Sequence, residues 1–290
     1  MIYEKIVEKN LIDKGWSPDK KYRIVTDDGN VYLLRTSPPE RLEQVKGQVQ
    51  RMVEVEQLGI PMCRNLEWGV CEEGPYMIQN WIEGQDMESQ LSSMTGEQQY
   101  AYGLEAGRIL KKIHSIPAPA DARPWGEYFD RKIGRKLAAY AACPLKYENG
   151  EVMVQYLREL RHLLYDRPQT LQHGDYHCGN LMIDTSGQLQ VIDFDKWDYG
   201  DPWEEFNRIV WCAQCAPEFA RGRVDGYFDG DVPEEFWQLL ALYICNNSLG
   251  SLPWAIPFGE GEVGMMRRQA ADILRWYDNF TTVIPSWYRK

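Results

Sequence analysis

The stretch that decides the fold is "QHGDYHCGNLMIDTSGQLQVIDF", residues 172 to 194. Its second half alternates apolar and polar residues on both sides of "TSG", which predicts a compact hairpin of two short strands. Antiparallel pairing around this turn sets Leu181 opposite Val191 and brings Asn180, just before the first strand, beside Asp193. The hairpin therefore predicts that an amide and a carboxylate become neighbours.

The first half of the same stretch adds a second carboxylate. Asp175 lies five residues before Asn180 in a loop that contains Gly174. An amide oxygen beside a carboxylate suits Mg²⁺, which binds a few protein oxygens together with substrate phosphates. A carboxylate at Asp175 is suited to orient an attacking hydroxyl and to accept its proton. Together these residues predict phosphoryl transfer from a nucleotide.

The composition limits the class of partner. The 290 residues carry a formal charge of −11, and the pI is about 5.0. Nucleic acid and anionic membrane surfaces would be repelled by this charge, so we expect neither as a partner. The apolar run "FWQLLALYIC" is far shorter than the ~20 residues of a membrane span. A small neutral or cationic partner fits better, and the sequence specifies no oligomeric state.

The cysteines favour a reducing compartment. There are seven, an odd number, and the first residues, "MIYEKIVEKN", carry charges where a secretory signal needs an apolar segment. We therefore expect free thiols and a cytoplasmic location. Cys212 and Cys215 in "CAQC" have the spacing of a metal or redox pair, but no second pair completes a zinc site. The favoured interpretation is packed core thiols in a helix.

The chain is expected to form two parts. "KKYRIVTDDGNVYLLRT" predicts a β-hairpin, and the following "PPERLEQVKGQVQRMVEVEQLGIP" spaces its apolar residues as a helix does. Another strand, within "GPYMIQNWIEGQD", leads to a boundary near residue 83. Beyond it the pattern is largely helical, beginning with a helix capped by Thr95. The predicted domains are residues 1–83, which bind nucleotide, and residues 84–290, which carry the catalytic hairpin and bind the acceptor.

"HGDYHCGN", followed by "VIDF" and "DYGDPWEEF", resembles the aminoglycoside phosphotransferase-like kinases, relatives of choline kinases and protein kinases. The resemblance implies a two-lobed, protein-kinase-like α+β fold with a small antiparallel-sheet lobe, a larger helical lobe and the nucleotide between them. It also implies an Mg²⁺-dependent kinase that moves the γ-phosphate of ATP or GTP onto a hydroxyl of a small molecule. Antibiotic resistance would be a further step beyond that chemistry.

The resemblance assigns roles to matching positions. Asp175 would be the catalytic base, and Asn180 and Asp193 would bind Mg²⁺. His173 and His177 would hold the loop, and Asp201 would be a structural acid. The backbone of Asn80 and Ile82 would contact adenine.

The chain also departs from the family pattern. The phosphate-gripping lysine and its glutamate partner are replaced by Arg35 and Gln48, although arginine can still bind phosphate in a bidentate manner. Gln48 could hydrogen-bond Arg35, and Glu43 could supply the missing charge. No glycine-rich phosphate loop is present, and "GWSPDKK" (residues 15 to 21) offers only Ser17 and two lysines as a phosphate cover.

The acceptor site is predicted in the acidic, aromatic C-terminal region. Its carboxylates and tryptophans ordinarily form a solvated face and core. As a functional set they would bind a polycationic, aminoglycoside-like acceptor through Asp229, Asp231, Glu234, Glu235 and Trp254. Two other functions stay open: a nucleotide-binding pseudokinase without turnover, and a metallophosphoesterase with Asp175 and His177 as metal ligands.

Overall fold

The structure is a computed structural model that describes residues 1–13 and 18–288. The chain forms two compact units. The first comprises Met1–Met87 and Gly179–Trp197, and the second comprises Glu88–Cys178 and Asp198–Lys290. The catalytic hairpin thus belongs by its contacts to the first unit. The division into functional lobes at residue 83 stays a prediction.

The first unit contains a five-stranded antiparallel sheet in the order β1-β2-β3-β5-β4. Its strands are β1 (Ile6–Ile12), β2 (Lys20–Thr26), β3 (Val31–Thr36), β4 (Asn65–Cys71) and β5 (Gly74–Asn80). The predicted hairpin is confirmed as β2 and β3. Its turn depends on Gly29, whose φ of 80° lies in the left-handed region that glycine adopts without strain.

One long helix accompanies this sheet. Helix α1 (Leu42–Glu56) follows β3, as the helical spacing predicts. Val45 and Val49 on its buried face form a core cluster with Met77 of β5. The same face carries Gln48, so this polar residue lies among apolar side chains.

A three-stranded antiparallel sheet completes the first unit. It contains β6 (Gly84–Asp86), β8 (Leu181–Asp184) and β9 (Leu189–Val191) in the order β6-β8-β9. Leu181 pairs with Val191, which confirms the predicted register. The Asp184 carboxylate fixes the turn by accepting hydrogen bonds from the Ser186 hydroxyl and from the amides of Ser186 and Gln188. These bonds lower the pKa of Asp184 to about 2.

The second unit is mostly helical. Its elements are α2 (Met87–Leu91), α3 (Gly96–Ile113), α4 (Trp125–Ala142), α5 (Gly150–Leu160), β7 (Thr170–Gln172), β10 (Asp198–Gly200), α6 (Ile209–Cys215), α7 (Pro217–Phe228), α8 (Glu234–Ala255) and α9 (Glu260–Trp276). Thr95 caps α3 in a reciprocal capping box with Gln98, as predicted. Strands β7 and β10 pair antiparallel. Residues 173–178, which follow β7, are called the catalytic loop below.

Helix α8 forms the centre of the second unit. The apolar run "FWQLLALYIC" lies within it, and nearly all of its side chains are buried. A helix that is apolar on all sides is typical of a core position, which explains the length and composition of this run. Over the residues 1–13 and 18–288, no helix is both long and apolar enough to cross a membrane.

Candidate active site

The backbone of the catalytic loop is held by Glu205. This buried carboxylate accepts hydrogen bonds from the amides of His173 and Gly174, each at 2.7 Å, and from the amide of Tyr176 at 3.4 Å. Gly174 has a φ of 86°, so the loop turns through a conformation that glycine tolerates. A single side chain therefore fixes the backbone on both sides of Asp175.

Glu205 is itself paired with a histidine. His114, at the end of α3, is buried, with Nε2 at 3.4 Å from the Glu205 carboxylate and Nδ1 at 3.0 Å from the Tyr227 hydroxyl. Burial alone would raise the pKa of Glu205, but the hydrogen bond and charge interaction with His114 outweigh it and lower that pKa. Glu205 is thus ionised and able to accept the loop amides.

Asp175 lies in the second unit between two basic side chains. Its carboxylate is 3.2 Å from Arg208 Nε and 3.7 Å from His177 Nε2. Its own amide donates to His173 Nδ1 at 3.3 Å. Burial lowers the pKa of His177 to about 4, so this imidazole is neutral near pH 7. The two histidines adjoin Asp175, and their loop-support role stays a prediction.

In the first unit, the hairpin brings together the residues proposed to bind metal. The Ile192 amide donates to the Asn180 backbone carbonyl at 3.1 Å, which confirms that Asn180 lies beside the end of β9. Asp193 follows with a φ of 64°, a left-handed conformation that turns the chain out of the strand. The backbone of Asn180 therefore lies beside the residue that precedes Asp193, as the hairpin predicts.

Asp193 is bound by two cations from the sheet. Arg35 on β3 donates from Nη1 to the carboxylate at 2.7 Å, and Lys21 on β2 lies 3.4 Å from its other oxygen. The two residues are register partners in the β2–β3 ladder, which explains why both reach Asp193. The carboxylate therefore occupies a strongly positive position.

A second carboxylate, Asp19, completes this network. Arg35 is 2% exposed and also donates from Nε to Asp19 at 3.2 Å. Burial would lower the pKa of Arg35, but Asp193 and Asp19 outweigh it and raise that pKa. Arg41, just before α1, joins Asp19 to Asp195, two residues after Asp193. Sequence reasoning missed Asp19, Arg41 and Asp195 because their pairing depends on tertiary contacts.

Gln48 and Glu43 do not complete the Arg35 site as the sequence suggested. Gln48 is 1% exposed, and neither atom of its amide has a hydrogen-bond partner among the residues that the structure describes. Glu43 is exposed and pairs with Lys46 at 2.7 Å. Arg35 takes its charge partners from Asp19 and Asp193 instead, so the compensation expected from Glu43 is wrong.

The predicted nucleotide-binding backbone lies at the end of β5. The Asn80 amide donates to the Arg64 carbonyl at 3.2 Å, and the Asn80 side chain accepts from the Arg64 amide at 2.6 Å. The adenine-binding role of the Asn80 and Ile82 backbone stays a prediction. Ser17 lies outside the described residues.

Asp201 is fully buried in the second unit. Its carboxylate accepts from Arg167 Nε at 2.7 Å, from the Tyr243 hydroxyl at 2.7 Å and from the Trp203 amide at 2.9 Å. Its backbone carbonyl accepts a hydrogen bond of 2.8 Å from the side chain of Gln172, the residue that directly precedes the catalytic loop. The role of Asp201 as a structural acid stays a prediction.

The residues predicted to bind the acceptor are not brought together. Asp229, Asp231, Glu234 and Glu235 lie around the beginning of α8, whereas Trp254 lies at its other end. At 1.5 Å per residue, about 29 Å separates Glu235 from Trp254. Asp229 pairs with Lys111 at 2.7 Å, and Glu235 lies 3.5 Å from Arg167. Trp254 is half exposed and packs on Phe258.

The "CAQC" pair lies on α6 and adjoins the catalytic loop. Cys212 is buried as expected, but Cys215 is exposed, so the prediction of two core thiols is wrong for Cys215. The Cys215 thiol donates to the backbone carbonyls of Trp211 at 3.4 Å and of Cys212 at 3.5 Å. Interaction with the buried Cys178 thiol, within the catalytic loop, lowers the pKa of Cys212 to about 7. All seven cysteines are free.

The structure is that of a kinase-like protein. It combines an antiparallel sheet and one long helix with a helical unit, and a loop followed by a hairpin carries Asp175, Asn180 and Asp193. The sequence model of the Phosphotransferase enzyme family (APH) matches residues 10–237. The chain belongs to this family, and the predicted two-lobed α+β fold and the resemblance are confirmed.

Three solved structures illustrate the similarity. Aminoglycoside phosphotransferase APH(4)-Ia, a thermostable mutant with ADP and hygromycin B, is 15% identical with a TM-score of 0.67, over 94% of this chain and 96% of that one. A choline/ethanolamine kinase family protein from Mesorhizobium loti is 15% identical with a TM-score of 0.66, over 96% and 92%. Amicoumacin kinase hAmiN, in complex with AMP-PNP, Ca²⁺ and Ami, is 15% identical with a TM-score of 0.65, over 95% and 90%. No curated protein sequence matches the chain.

Proposed function

We propose that the protein transfers the γ-phosphate of ATP or GTP to a hydroxyl group of a small molecule. The observation that carries the proposal is the hydrogen bond from the Ile192 amide to the Asn180 backbone carbonyl, which sets Asn180 beside the residue that precedes Asp193. Family membership supports the coarser conclusion, a small-molecule phosphotransferase. The donor nucleotide and the acceptor are our proposals.

Asn180 and Asp193 would hold Mg²⁺, since a carboxamide and a carboxylate are the hard oxygen ligands that this ion prefers. The ion, when bound, neutralises phosphate charge. Arg35 and Lys21 already lie on Asp193, and both are suited to receive nucleotide phosphates. In this arrangement, Arg35 supplies the charge that a lysine supplies elsewhere in the family. Asn80 and Ile82 would bind the adenine edge through their backbone.

Asp175 would orient the acceptor hydroxyl and receive its proton. Arg208, His177 and His173 contact Asp175, and Glu205 fixes the loop backbone. Catalysis of this kind depends mostly on positioning and electrostatic stabilisation.

An aminoglycoside-like, cationic molecule is one candidate for the acceptor, because one solved structure of similar fold contains hygromycin B. The separation of Trp254 from the acidic residues at the beginning of α8 gives such an acceptor no single binding cluster. An antibiotic-resistance role would be a further step beyond the kinase chemistry.

The pseudokinase and phosphoesterase alternatives make different predictions. A pseudokinase would bind nucleotide without turnover, whereas the well-supported loop around Asp175 favours turnover. A dinuclear phosphoesterase needs several clustered ligands, and no group of three potential metal-binding His, Cys, Asp or Glu side chains occurs in residues 1–13 and 18–288. The seven free thiols are consistent with work in the cytoplasm, where we propose that the enzyme meets its nucleotide.

The test is a coupled nucleotide-turnover assay with Mg²⁺ and either ATP or GTP, against aminoglycosides, macrolides, amino alcohols and hydroxy acids. Formation of a phosphate monoester, followed by ³¹P NMR, is the expected result for at least one acceptor. Nucleotide binding without transfer to any acceptor would favour the pseudokinase. Hydrolysis of phosphate monoesters without a nucleotide would favour the phosphoesterase.

A further inference from the structure

Basic side chains gather beside the catalytic loop of the second unit. Lys132 and Lys136 lie one turn apart on α4, and Arg208 lies just before α6. We call Lys132, Lys136 and Arg208 the basic cluster. Its presence is unexpected in a chain whose net charge is −11. Its member Arg208 contacts Asp175, to which the proposed function brings the acceptor hydroxyl.

Two members of the basic cluster connect to the loop through carboxylates. Arg208 Nε is 3.2 Å from Asp175, and Lys132 Nζ is 3.3 Å from Glu204. Glu204 also accepts from Gln172, at 3.4 Å, immediately before the catalytic loop. The charges of these two cations are therefore matched by carboxylates of the protein.

Lys136 is the member of the basic cluster that pairs with no carboxylate among the described residues. Within the part of the chain that the structure describes, its ammonium group has neither an ion pair nor a hydrogen bond. It is close enough to Lys132 and Arg208 to be repelled by both, and Glu204 compensates only in part. Keeping a poorly solvated ammonium beside two like charges is unfavourable unless an anion joins it.

The fold makes room for this lysine. Lys136 lies over Gly250 of α8, and a Cβ at Gly250 would approach Cδ and Cε of Lys136 to 2.7 Å. Trp254 lies one turn further along α8 and packs on Phe258, so a half-exposed aromatic pair lies at this end of the helix. The lysine side chain is thus accommodated by a glycine rather than extended freely into solvent.

We infer that the basic cluster is a subsite for an anionic oxygen group, a carboxylate or a phosphate, on the acceptor. The inference rests on the proposed function, because that function brings the acceptor hydroxyl to Asp175. Lys136 is the specificity-determining residue of the subsite, and Arg208 contacts both Asp175 and the incoming anion. The acceptor is accordingly a hydroxylated acid rather than a polycation.

The test uses matched small alcohols that carry a carboxylate, a phosphate, an ammonium group or no charge at the end remote from the hydroxyl. We expect the carboxylate or the phosphate compound to exceed the ammonium compound in kcat/KM by about tenfold or more, chiefly through KM. Lys136→Met should remove this preference. Arg135→Met, which removes an exposed charge from the adjacent position of α4, should keep it. Gly250→Ala should weaken it by displacing Lys136.

A preference for the ammonium compound, or an equal preference in Lys136→Met and Arg135→Met, would overturn the inference. Absence of transfer to every alcohol would instead count against the proposed function. Titration with inorganic sulfate, with the nucleotide site saturated by a non-hydrolysable analogue, then tests the subsite alone. Sulfate should raise the melting temperature of the unaltered protein and of Arg135→Met more than that of Lys136→Met. Equal shifts in all three proteins would overturn the inference.

Discussion

The Arg35 guanidinium donates a hydrogen bond of 2.7 Å to the Asp193 carboxylate. Arg35, which we propose binds phosphate, is thus hydrogen-bonded to Asp193, which we propose binds the metal ion. The pair lies in a network that also includes Asp19, Arg41 and Lys21. Arg35 therefore pairs with Asp19 and Asp193 and not with a residue of α1.

Arg35→Met is expected to lower the free energy of unfolding by about 3 kcal/mol, because it leaves the buried Asp19 with one cation fewer. The KM for nucleotide should rise, since the phosphates lose a ligand. Urea denaturation and nucleotide titration measure the two effects. Arg131→Met, at an exposed position of α4, serves as the control. An unchanged KM in a folded Arg35→Met protein would contradict the phosphate role.

Gln48→Met should leave kcat/KM unchanged within about twofold and raise stability by about 1 kcal/mol. The reason is that Gln48 buries both polar atoms of its amide without a hydrogen-bond partner among the described residues, and methionine removes this cost. Gln48→Glu should be destabilised, because Arg35 is already engaged by Asp19 and Asp193. Gln50→Met, on the exposed face of α1, is the matched control. A tenfold loss of activity in Gln48→Met would show that the amide gains a partner during turnover.

Glu205→Gln is expected to reduce kcat by about tenfold to a hundredfold and stability by about 2–3 kcal/mol. The variant replaces an ionised acceptor of three loop amides with a neutral group, and a displaced loop misplaces Asp175. The matched control is Glu218→Gln, on α7. A rise in KM for nucleotide with kcat unchanged would be the wrong pattern for a residue that positions the catalytic loop.

The affinity for an acidic acceptor should fall as the pH rises through about 8. Burial lowers the pKa of Lys136 to about 8, with repulsion from Lys132 and Arg208 and partial compensation by Glu204. The anion requires the charged ammonium form, which is present below this pKa and lost above it. A carboxylate acceptor does not titrate in this range, so its KM should rise between pH 7 and pH 9 while that of an uncharged alcohol stays constant. Parallel profiles for the two acceptors would contradict the assignment.

Local sequence patterns predicted the framework of the site. The alternation around "TSG" gave the pairing of Leu181 with Val191, and strand geometry then required Asn180 to approach Ile192. These relations depend only on residues close in the chain. The helix α1 and the β2–β3 hairpin were predictable for the same reason.

The charge partners were not predictable in this way. Asp19 and Arg41 meet Arg35 and Asp195 across long sequence separations, and composition carries no signal for such pairing. The predicted acceptor set failed because α8 is one continuous helix, which carries Trp254 about 29 Å away from Glu235. Lys136 had no sequence signal, since its significance depends on Gly250 and on the absence of a partner among the described residues.

The most direct test of the central claim is acceptor-dependent phosphoryl transfer by Asp175→Asn, measured beside Asp121→Asn, which alters an exposed loop aspartate. The amide keeps the size of the side chain but cannot accept the hydroxyl proton as a carboxylate does. We predict that transfer falls by about a thousandfold while the Kd for nucleotide changes by less than about twofold. Transfer at more than about a tenth of the unaltered rate in Asp175→Asn would contradict the account.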